Sequence, residues 1–110
     1  MSEELEIKFN RNVVRNIDEL KSLLNYRPTR FIQMVASSGG LQAVKQLLRG
    51  SDTSDGFTKL WEAKRLDLSM EALAVLPNYS TLFTNDEKDK ARYRLQAYGF
   101  DFPEFLRLHN

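Results

Sequence analysis

"TRFIQMVASSGGLQAVKQLLRG" occupies residues 29–50, and the spacing of its apolar residues decides the fold. Phe31, Met34 and Val35 recur at three and four residues, and beyond "SSGG" Leu41, Val44, Leu47 and Leu48 do the same. That is the period of an amphipathic helix rather than of a strand. Glycine reaches the backbone conformations that end helices, so residues 37–40 predict a break. A helix over 29–37 should precede it, and a second over 41–49, closed by Gly50, should follow.

The same period extends both ways. Upstream, Val14, Ile17, Leu20 and Leu24 predict a helix over 13–25, with Arg15, Asp18, Glu19 and Lys21 facing water. Pro28 ends that segment, because the residue before a proline is pushed out of helical geometry. "EELEIKF" ahead of it reads as either a short extra helix or an extended arm, so residues 1–11 are set apart as an accessory arm of a domain spanning 1–110. Downstream, Ser51, Asp52, Thr53, Ser54 and Asp55 form a polar loop rich in helix-capping types. Phe57, Leu60 and Trp61 then predict a helix over 56–64, and with Leu66, Leu68 and Leu73 they form an expected core corner around the sole tryptophan.

Further signals complete the reading. Ser69 or Asp67 can cap a helix over 70–76, which Pro77 follows, and "PNYSTLF" reads as a loop. Thr84 and Glu87 have the spacing of a capping box opening a helix to about Tyr98, where Gly99 ends it. Asp101 caps a last turn or short helix carrying Phe105 and Leu106. The prediction is an all-α fold, a compact single-domain bundle of five to six short helices.

Composition bounds function. The 110 residues are 42% hydrophobic and 28% charged, the balance of a folded globular domain. No cysteine is present, which excludes disulfides, thiolate metal sites and a cysteine nucleophile. No stretch approaches the roughly 20 apolar residues of a membrane helix, and the acidic start "MSEELEIKFN" is unlike a signal peptide, so a cytoplasmic protein without membrane contact is expected. The only histidine, His109, leaves no material for a triad or a histidine metal site. Asp52 with Asp55, and Asp86 with Glu87 and Asp89, read as helix-start charges rather than as acid–base or cation sites. Neither phosphate-loop glycine pattern occurs. No enzyme, cofactor or metal is expected.

Two surfaces remain. Gln42, Lys45, Gln46 and Arg49 fall at i, i+3, i+4 and i+7, so they share the outward face of the helix over 41–49, and these residue types reach base edges and phosphates. With the helix before it, the segment 29–49 has a helix-turn-helix outline, and Arg27 and Arg30 beside Pro28 add an anion-binding corner. From Arg27 to Arg65 the charge is +4 within a chain of +1. The opposite end offers aromatics: Tyr98, Phe100, Phe102 and Phe105, with Tyr93, exceed what a small core needs, and aromatics favour interface centres. The first expectation is therefore a non-enzymatic module docking a protein partner or a second copy of itself. Nucleic-acid binding through Arg27, Arg30, Gln42, Lys45, Gln46 and Arg49 is the alternative.

Read together, "YRPTRFIQMVASSGGLQAVKQLL" and "SDGFTKLWEAKRLDLSMEALAVLPNYSTLFTNDEKDKARYRLQAYGF" resemble a small helical domain that recurs in bacterial proteins of unassigned function. The resemblance covers Tyr26 to Phe100. It implies a bacterial, cytoplasmic origin and an all-helical fold, and carries no ligand or catalytic residue.

Overall fold

In a computed structural model of the protein, residues 2–50 and 54–109 are described, without the side chains of Ser2, Phe102 and His109. Helices α1 (Ser2–Leu24), α2 (Thr29–Ser38), α3 (Gly40–Arg49), α4 (Asp55–Glu62), α5 (Met70–Ala74), α6 (Asn85–Ala97) and α7 (Phe102–His109) follow in order, with 3-10 turns at Leu66–Leu68 and Pro77–Leu82. Among the described residues there is no strand, and the all-α expectation holds. The radius of gyration is 12.8 Å, that of a compact domain of this length. Of the predicted polar loop, Ser51, Asp52 and Thr53 lie outside the described residues. Ser54 is the cap of α4, its hydroxyl accepting from the Phe57 amide at 3.1 Å.

The first helix differs from its prediction. Residues 2–11, set apart as an arm, are helical: α1 runs without interruption, because Phe9 extends the stripe backwards to give Phe9, Val13, Ile17 and Leu20, all buried. Val14, predicted on that stripe, lies a residue off it and is half-exposed. Asn25, at φ +52°, ends the helix in a left-handed conformation that asparagine tolerates.

α3 is the centre of the molecule and packs against α1, α2, α5 and α6. Its Leu41, Ala43, Val44 and Leu48 are buried, and Gly40 lets it approach α1 closely enough for Asn10 Oδ1 to accept from the Leu41 amide at 2.9 Å. An asparagine of α1 thus caps α3, where Gly39 has no side chain to offer. α2 lies chiefly against α3 and buries no side chain fully. Phe31 and Val35, expected in the core, are packed only partly against it. The predicted loop after Pro77 is instead a 3-10 turn that sends Tyr79 and Phe83 edge-on against Phe9, with centroids 5.0 and 5.4 Å away.

Candidate functional site

The predicted core corner around Trp61 forms in part. Phe57, Leu60, Leu66 and Leu73 are buried, but Trp61 is 46% exposed. α4 is short, and Phe57 and Leu60 occupy its inward line; Trp61, one position on, falls on the flank. There its ring stands edge-on to Tyr98, centroids 5.3 Å apart, and Tyr98 in turn meets Phe57 at 5.0 Å. The buried ring therefore holds the exposed one at a fixed angle.

Trp61 and Tyr98 wall a surface cleft of about 480 Å³ between α4 and α7, completed by Phe100, Phe105 and Leu108. Of the predicted partner surface, Tyr98 and Phe100 are half-buried in this cleft, and the Phe102 side chain lies outside the description. Phe105 is corrected: it is buried against Phe100 at 5.1 Å and anchors α7 instead of facing outward. Leu108 and Tyr93 are largely exposed. The rim charges cancel in part, with Arg65 Nε donating to Asp67 at 3.0 Å and Arg107 to Glu104 at 2.6 Å.

The second predicted surface loses one member. Gln42, Gln46 and Arg49 are exposed on α3, and Arg27 and Arg30 are exposed around Pro28. Lys45 is not: only 14% of its side chain is accessible, its Nζ donates to Glu87 Oε1 at 2.7 Å, and it lies 4.9 Å over the Phe83 ring. The physical reason is that α6 and its preceding turn pack beside α3, and Glu87 supplies the nearest anion. Arg49 reaches the other Glu87 oxygen at 4.0 Å. Burial acts to raise the Glu87 carboxyl, but hydrogen bonds from Lys45 and the Thr84 amide outweigh it and hold the group below its ordinary range. The capping box of Thr84 and Glu87 forms as predicted.

One polar cluster escaped the sequence reading. Arg94, on α6, donates to the carbonyls of Leu47, Leu48 and Gly50 and to Glu71 Oε2 at 3.3 Å. The pair is nearly inaccessible, at 1% for Glu71 and 8% for Arg94. Arg94 thereby satisfies carbonyls that the end of α3 leaves orphaned. Burial pushes the Glu71 carboxyl up, against the pull of Arg94. The available signal was a lone carboxylate inside "MEALAVL", which an apolar helix tolerates only with a partner.

Among the described residues no group of three or more His, Cys, Asp or Glu could hold a metal ion, and no helix is long and apolar enough to cross a membrane. No protein-family model, curated protein or solved structure matches the chain.

Proposed function

We propose that the protein is a non-enzymatic interaction module that docks a protein partner through the cleft between α4 and α7. One observation carries this reading: the sole tryptophan stands half-exposed and braced edge-on by Tyr98 beside an aromatic cleft. Tryptophan and tyrosine are favoured as interface anchors, because they contribute large contact areas with few rotamers to immobilise. The bracing by Phe57 further reduces the ordering cost of binding.

Nucleic acid is the weaker reading, since Lys45 is bound up with Glu87 and the chain carries only +1. The test compares the protein with its Trp61→Ala and Arg49→Ala variants against one purified partner obtained by affinity capture. The expected result is a blue shift of Trp61 emission on binding, affinity lowered roughly 30-fold or more by Trp61→Ala, as for an anchor worth about 2 kcal/mol, and no change with Arg49→Ala. Unaltered binding by Trp61→Ala overturns the reading. A salt-sensitive affinity for duplex DNA that Arg49→Ala abolishes replaces it with the nucleic-acid one.

A further inference from the structure

A second cleft, of about 460 Å³, opens on another side of α4. Its volume falls within the roughly 300–1,000 Å³ of small-ligand sites. Ile17 and Leu20 of α1, Phe31 and Met34 of α2, Leu47 of α3 and Met70 line it. This accounts for part of α2: its Phe31 and Met34 face the cleft, and none of its residues is fully buried.

Several polar groups of the lining are already engaged. Asn16 donates to the Leu68 carbonyl at 3.1 Å, Ser69 donates to the Leu66 carbonyl at 2.7 Å, and Glu71 is held by Arg94. The rest of the interior lining is chiefly apolar, which suits a ligand apolar along its body. The exposed lining is Thr29, Arg30, Gln46, Gly50 and Asp55, of which Arg30 and Asp55 are charged. No acidic residue occurs from Leu20 to Gly50, so the α2–α3 wall carries only positive charge, and Arg30 has no ion-pair partner among the described residues. Asp55 sits on the facing helix near Tyr26, whose phenol is raised by burial and by that carboxylate. The field across the opening thus runs from Arg30 to Asp55 and draws an anionic head toward α2.

We infer that this cleft binds a medium-chain aliphatic carboxylate, its chain among the leucines and methionines and its carboxylate on Arg30. Methionine walls suit a flexible chain, being unbranched and adaptable. The site shares no exposed residue with the Trp61 cleft, so either can fail without the other.

The experiment titrates dodecanoate, dodecanol and dodecyltrimethylammonium, each below its micelle-forming concentration, into the full chain carrying labelled methionine methyls. Dodecanoate is expected to shift the Met34 and Met70 methyl signals saturably. Arg30→Gln, an exposed change that spares the core, is expected to weaken dodecanoate about tenfold, as for one charge-assisted hydrogen bond, and to leave dodecanol binding unchanged. Equal binding by the quaternary ammonium, unaltered dodecanoate affinity in Arg30→Gln, or unmoved Met34 and Met70 signals overturns the proposal. So does a shift of those signals with protein concentration alone, which assigns the cleft to a second copy of the chain.

Discussion

At the scale of single residues, two carboxylates that look alike in sequence have opposite environments. Glu71 is ionised only against the cost of burial, and among the described residues Arg94 is its ion-pair partner. Arg94→Met is expected to cost about 3–5 kcal/mol in urea unfolding, the usual penalty for stranding a buried charge. Part of that loss should return on acidification, because the unpaired Glu71 then takes a proton; a penalty independent of pH would contradict the role given to the pair. Glu87 behaves the other way. Its folded-state carboxyl is held below the ordinary value of 4.5, so its contribution is present above that value and disappears as pH falls through the folded one. Glu87→Gln should therefore be less stable than the parent at neutral pH, with the gap closing in acid. Neither cationic partner was legible in sequence, since both lie far along the chain: Lys45 for Glu87, and Arg94 for Glu71.

At the scale of elements, the turn between α2 and α3 separates two glycine roles that look identical in "SSGG". Gly39 has φ +86° and ψ 162°, a region essentially closed to other residues, yet a Cβ there would meet nothing within 4 Å. Gly40 has ordinary helical geometry, but a Cβ there would lie 2.9 Å from Asn10 Oδ1 and 3.3 Å from the Asn10 backbone. Both alanine variants should lose roughly 1–3 kcal/mol, the first from backbone strain and the second from overpacking. Only Gly40→Ala should be relieved by Asn10→Ala, read as a positive coupling in a double-mutant cycle of thermal unfolding. The break and the helical period were visible in sequence, because each depends on residues within a turn or two of one another. The close approach of α1 was not, since Asn10 is thirty residues away from the glycine it crowds.

At the scale of the whole molecule, the N-terminal half of α1 is part of the domain rather than an appendage. Phe9 is wholly buried between Tyr79 and Phe83, and Asn10 caps α3. A chain lacking residues 1–11 should lose cooperative thermal unfolding and much of its helical circular dichroism; retention of both would restore the arm. Trp61→Ala, by contrast, should leave the melting curve within the small range of an exposed substitution, about 0.5 kcal/mol. The sequence by itself determined the all-α class, the break within residues 37–40, the capping box at Thr84 and the absence of cysteine chemistry, because periodicity, caps and composition are local. Tertiary structure alone decided that Lys45 turns in to Glu87, that Phe105 is buried while Trp61 is not, and that two clefts flank α4. Such outcomes depend on which distant helix fills the space beside a given face, and no spacing within one helix records its neighbour.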